Sequence, residues 1–89
     1  MSCTLYILQS QVKETYYTGI SDDADTRSIY HNAENKGYTR RYRPWKIVYT
    51  KLFPTRELAL KAERIIKHWK SKKMIRLLID GTIDIDDYL

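Results

Sequence analysis

Two runs of strand-forming residues, TLYILQ (residues 4–9) and TYYTGI (residues 15–20), stand only a short polar segment apart. A connection that short joins antiparallel neighbours, so the pair reads as a β-hairpin even though its turn lacks an Asn-Gly signal. With the loop centred between Gln11 and Val12, opposed residue numbers sum to 23, and Tyr6 faces Tyr17 on one side of the sheet. A slip of one residue would send the two rings to opposite faces. The rest of the chain must cover what this hairpin exposes.

Downstream, Ser21 followed by Asp22, Asp23 and Asp25 marks a helix start, with serine as cap and the acids at the positive end of the dipole. This helix is expected to run to about Asn35, with Gly37 beyond it, and it carries Arg27 and His31 at i and i+4. WKIVYTKLF (residues 45–53) alternates as a third strand that Pro54 ends. Thr55 can cap a second helix reaching about Lys70, with Leu58, Ala62, Ile65, Ile66 and Trp69 as its apolar stripe. A short third helix spans roughly residues 72–79 and stops at Gly81. The order strand, strand, helix, strand, helix, helix reads as a small layered α/β domain over residues 1–81, followed by an acidic tail over residues 82–89.

Eighty-nine residues make one domain and leave no room for a Rossmann fold, a barrel or a two-lobed enzyme. No apolar run approaches the length of a membrane span, and no leader pattern opens the chain. The single cysteine, Cys3, is expected in the core; it permits neither an internal disulfide nor a cysteine zinc site. A cytoplasmic location is the expectation.

Charge is distributed in blocks. Residues 36–76 hold 14 lysines and arginines against Glu57 and Glu63, a net +12, between an acidic first third and an acidic end. A block this basic suits a polyanion, although long cationic side chains also simply solvate helix faces. In KGYTRRYRP (residues 36–44) the cations alternate with Tyr38 and Tyr42, a mixture that combines phosphate contacts with stacking on bases. Lys36, Tyr38, Arg40, Arg41 and Arg43, with Lys67 and Lys70 on the second helix, are the expected nucleic-acid contacts. DNA is the first expectation as partner, including branched or single-stranded forms, and RNA the second. No membrane partner is expected, and a protein partner is left unspecified.

Singly, the polar residues of the elements have ordinary readings. Tyrosines in strands pack, Arg27 can pair with Asp23, Glu63 can pair with Lys67, and His68 is structural or solvated. Together, Tyr6, Tyr17, Arg27, His31 and Glu63 make a set able to cleave a phosphodiester. Glu63 can hold Mg²⁺ or Mn²⁺, since such a cation keeps waters and needs only one or two carboxylates. Arg27 offers a fork of donors to a phosphate. A tyrosine hydroxyl or His31 can take the proton of an attacking water. A phenol near pKa 10 must be lowered by about 3 units to act as a base at neutrality, whereas an imidazole changes charge near neutral pH.

The pattern resembles the GIY-YIG nuclease superfamily, and within it the small single-domain UPF0213-type proteins. Thr4-Leu5-Tyr6 and Tyr17-Thr18-Gly19 stand as its two motifs, Arg27 and His31 follow in DTRSIYHN, and residues 36–49 and ELALKAERIIKHW continue the likeness over about residues 4–80. Thr4-Leu5 replaces the usual Gly-Ile, Thr18 replaces an Ile, and no downstream asparagine follows Glu63. The resemblance implies a three-stranded antiparallel sheet flanked by helices and a divalent-metal-dependent endonuclease. It implies Tyr6 and Tyr17 as the motif tyrosines, Arg27 as the phosphate-stabilising arginine, Glu63 as the metal ligand, and His31 at a polar position of less uniform role. A second reading keeps the fold as a nucleic-acid-binding module with weak or lost catalysis.

Overall fold

β1 (Cys3–Ser10) is the middle strand of a three-stranded sheet because it is apolar on both sides. Cys3, Leu5 and Ile7 point to one face, Tyr6 and Leu8 to the other, and all five are buried. A strand covered on both faces loses the polar alternation of a surface strand. β2 (Tyr16–Ser21) and β3 (Trp45–Phe53) pair with it antiparallel, one on each side, in the order β2-β1-β3. The computed structural model describes residues 2–22, 25–34 and 40–89.

The hairpin register differs from the expected one. Tyr6 lies opposite Gly19 and Leu8 opposite Tyr17, so opposed numbers sum to 25. Ser10 is the reason: it stays in the strand, its N–H donating to the Thr15 carbonyl at 3.1 Å. Its hydroxyl oxygen accepts from the N–H groups of Val12 and Lys13, both at 3.2 Å, and its O–H donates to the Tyr42 carbonyl at 2.7 Å. This buried serine organises the turn that an Asn-Gly pair would otherwise make. A shift of two preserves the face, so Tyr6 and Tyr17 still share one side.

Between β1 and β3 the pairing slips at Ile7/Leu8, where Tyr49 opposes Ile7 and Ile47 opposes Leu8. The extra residue, Val48, is a bulge. It turns Trp45 and Ile47 to the side of Tyr6 and Leu8, while Val48 and Tyr49 pack on the other side.

α1 (Thr26–Glu34) covers the Tyr6 face through Ile29 and Ala33. Its start lies later than Ser21. Asp25 caps it, accepting from the Arg27 N–H at 3.0 Å, while Ser21 remains in β2 opposite Thr4. The opposite face carries α2 (Arg56–Trp69) and α3 (Lys72–Ile79). Thr55 and Ser71 cap these helices, their hydroxyls accepting from Leu58 and Met74 N–H groups at 3.2 Å. The buried stripe of α2 is Ala59, Ala62 and Ile66; Leu58, expected within it, lies exposed. Past α3, Gly81 takes φ +87°, the left-handed conformation glycine adopts without steric cost.

Residues 82–89 fold onto the same body. A 3₁₀ turn (Ile85–Tyr88) puts Ile85 fully inside the main core. Lys51 meets Asp86 at 3.1 Å, Tyr88 meets Trp69 edge-on at 5.2 Å between centroids, and Lys61 donates to the Leu89 carbonyl at 2.8 Å. Among the described residues no helix is long and apolar enough to cross a membrane.

Candidate active site

The site grows from the middle of the hairpin. Tyr6 projects from β1 over Gly19 of β2, its direct partner. A Cβ at position 19 would stand 2.6 Å from the Tyr6 hydroxyl oxygen and 2.7 Å from Cζ, so the ring lies where a side chain would be. Glycine is required here for close approach rather than for a special backbone angle. Leu8, Ile29, Ala33 and Trp45 enclose the ring, leaving Tyr6 only 3% exposed. Tyr17 stands diagonally across the same face with its ring centroid 6.4 Å away and its plane tilted by 39°. It is half-buried, so of the two phenols it is the one that reaches solvent.

Glu63 completes the group. At about 100° per residue it sits roughly 70° round α2 from the Ala59–Ala62–Ile66 stripe. Its side chain is therefore partly covered, at 18% exposure. α2 packs against β2, the edge strand that carries Tyr17. The carboxylate is close enough for its charge to act on both phenols. Burial first, then Tyr17 and Glu63, push Tyr6 up to about 12. Burial first, then Glu63, raise Tyr17 as well. Both hydroxyls are therefore held protonated in the protein itself, the opposite of what a tyrosine base needs. Lys67, one turn on, approaches the Glu63 carboxylate at 3.7 Å, so a cation already stands beside it.

The structure thus gathers Tyr6, Tyr17 and Glu63. It leaves Arg27 and His31, one turn apart, on the exposed side of α1, roughly opposite the Ile29–Ala33 stripe that packs over Tyr6. Asp23, the expected partner of Arg27, and Lys36 and Tyr38 of the basic segment lie outside the described residues. Arg40, Arg41 and Arg43 are exposed. Tyr42 between them packs against the Tyr6 cluster and receives the Lys13 ammonium 4.9 Å above its ring, which brings this segment beside the tyrosines. Lys67 and Lys70 lie on the β2 side, lining one cleft with Tyr17. The sequence reading missed Gly19 as the seat of the Tyr6 ring. A glycine inside a strand run was the available signal.

Among the described residues no group of three or more His, Cys, Asp and Glu could hold a metal ion. The donor set does not fit a closed zinc-type cage. A hard cation that keeps most of its waters needs only one or two carboxylates, and Glu63 is the carboxylate whose charge reaches both phenols.

Residues 2–76 match the family profile of the GIY-YIG catalytic domain. The chain belongs to the GIY-YIG family. Within that family, this GIY-YIG domain is similar to a UPF0213 protein of Haloquadratum walsbyi, 37% identical over 79 residues that cover 88% of each chain. It is similar to a UPF0213 protein of Staphylococcus saprophyticus, 38% identical over 66 residues, 73% of this chain and 80% of the relative. The solution NMR structure of a UPF0213 protein from Bacillus halodurans superposes with a TM-score of 0.57 at 33% identity, covering 88% of this chain and 83% of that one. The three-stranded antiparallel sheet flanked by helices, expected from the motifs, is the fold found.

Proposed function

We propose that this GIY-YIG domain is an endonuclease that hydrolyses phosphodiester bonds of DNA or RNA with the help of a divalent cation. One observation carries the reading: the two motif tyrosines share one face of the hairpin, and the charge of Glu63, on the helix packed against edge strand β2, acts on both phenols. When bound, Mg²⁺ or Mn²⁺ supplies Lewis-acid polarisation of the phosphoryl group. Glu63 holds that cation. Tyr6 and Tyr17 keep their protons and act as hydrogen-bond donors that orient the attacked phosphate and the nucleophilic water. Lowering Tyr6 from about 12 to neutrality would require about 7 kcal/mol, so the proton of the attacking water goes elsewhere. Arg27 and His31 lie on the exposed side of α1, away from the stripe that packs over Tyr6, so the proton of the attacking water passes to solvent.

A second reading, a nucleic-acid-binding module with weak or lost catalysis, draws on the exposure of Arg27 and His31 away from the enclosed Tyr6. Labelled single-stranded, duplex and branched DNA and RNA, incubated with Mg²⁺ or Mn²⁺ and with chelator, separate the two. The nuclease reading expects metal-dependent cleavage by the unaltered protein and none by Glu63→Gln. Binding without cleavage of any substrate supports the second reading. Full cleavage by Glu63→Gln overturns the proposed role of the carboxylate.

A further inference from the structure

β2 is an edge strand, and its free edge does not face open solvent. A cleft of about 320 Å³ runs between that edge and the junction of α2 with α3, walled by Tyr16, Tyr17 and Ile66 and lined by Lys67, Lys70 and Lys72. It opens beside Tyr17, and Lys67 ties it to Glu63 at 3.7 Å.

The other ion pairs among the described residues involve cations outside this cleft. Glu14 meets Arg76 at 2.7 Å, Asp22 meets Arg56 at 2.8 Å, and Asp84 and Asp86 approach Lys51 at 3.9 and 3.1 Å. Among the described residues no carboxylate lies within ion-pair range of Lys70 or Lys72. Two unneutralised ammonium groups therefore stand with a third, weakly engaged one, around a furrow walled by phenol rings. Like charges gathered at one concavity repel one another and raise its affinity for an anion.

Lys70 adds an independent mark. It takes φ 50° and ψ 33° where α2 ends, and it is the one non-glycine residue of positive φ among the described residues. Helices commonly place glycine in this conformation, because a Cβ there is strained. A lysine in this conformation carries a local strain that glycine would not, and it lines the cleft.

We infer that the β2-edge cleft is a backbone subsite, in which Lys67, Lys70 and Lys72 hold successive phosphates of a nucleic-acid strand as it approaches Tyr17. This rests on the nucleic-acid part of the reading above and is independent of whether the strand is cut. Arg40, Arg41 and Arg43, exposed on the segment that Tyr42 anchors beside the tyrosines, add further phosphate contacts. Lysines beside a free strand edge also deter edge-to-edge pairing between molecules, which is the ordinary alternative.

The test is fluorescence anisotropy of a labelled single-stranded oligonucleotide, and of the same sequence as a duplex, titrated with the full chain at several salt concentrations. Lys70→Gln/Lys72→Gln is compared with Lys46→Gln/Lys73→Gln, which removes equal charge from exposed positions outside the cleft. Each lost phosphate contact lowers the slope of log K against log salt by about 0.7 for a single strand and about 0.9 for a duplex. The cleft variant is expected to lose about 1.4 from the single-strand slope, with affinity falling about tenfold at low salt; the control is expected to lose far less. Lys70→Gly is expected to melt higher yet bind more weakly, which a merely structural lysine would not do. Equal loss in both double variants, no binding by the unaltered protein, or poorer solubility without weaker binding each overturns the inference. Cleft-dependent binding without cleavage in Mg²⁺ would defeat the nuclease reading alone, and cleavage with cleft-independent binding would defeat this inference alone.

Discussion

Replacing Gly19 by alanine is the sharpest probe of how the hairpin builds its site. The new methyl would stand 2.6 Å from the Tyr6 hydroxyl oxygen and 2.7 Å from Cζ, against 3.4–4 Å for ordinary contact, so something must yield by about 0.8 Å. The end of a tyrosine usually swings aside at little cost. This ring is enclosed by Leu8, Ile29, Ala33 and Trp45 and cannot. Overpacking of that kind costs about 1–3 kcal/mol. Alanine returns about 0.5–1 kcal/mol by restricting the unfolded chain. The net expectation is a loss of about 1–2 kcal/mol, or a melting temperature lower by about 5–15 °C for a domain of this size. Thermal unfolding followed by far-UV circular dichroism reads it. Tyr6→Phe on the Gly19→Ala background should restore only part of the loss, because Cζ remains. A Gly19→Ala protein that melts with the unaltered one would refute the close-approach argument.

Three further outcomes follow from the same contacts. Ile85→Ala should cost about 2–4 kcal/mol in denaturant unfolding, since Ile85 is fully buried in the main core, whereas Asp84→Asn/Asp86→Asn should change stability by less than about 1 kcal/mol. Ser10→Ala should destabilise by about 1–3 kcal/mol on the same assay, because one buried hydroxyl serves two N–H donors and the Tyr42 carbonyl. Tyr6 is held at about 12 against an ordinary 10, and burial is the main cause. Its raised value stabilises the fold by about 3 kcal/mol below pH 10 and is lost as pH climbs through 12. Ultraviolet titration should show this late phenol, and Glu63→Gln should bring both Tyr6 and Tyr17 to lower pH.

Local chemistry was legible in the residues. β3 and α3 fall where alternation, Pro54 and Gly81 put them, and Thr55 caps α2 as its hydroxyl allows. The parity of the hairpin was readable too, because a face is fixed by period two. Its offset was not, because it depends on Ser10 reaching the Tyr42 carbonyl, a partner 32 residues away. α1 begins at Asp25 rather than Ser21 because β2 keeps pairing through Ser21. The acidic end read only as a tail, since Ile85 stands between aspartates and only tertiary packing shows its role. At the site, the shared face of the tyrosine pair was readable from the period of the hairpin, and the place of Glu63 on the flank of the α2 stripe from helical spacing. The direction in which their environment moves the phenols was not, because burial is a property of the assembled sheet.

The central claim is that both phenols and the Glu63 carboxylate share one cation-holding site. Manganese titrated into protein labelled at its tyrosine rings tests it by NMR, because a paramagnetic ion broadens only nearby signals. The account predicts broadening that begins at Tyr17 and Tyr6 and disappears in Glu63→Gln. Broadening centred on Tyr88 beside the acidic 3₁₀ turn, or unchanged in Glu63→Gln, would contradict it.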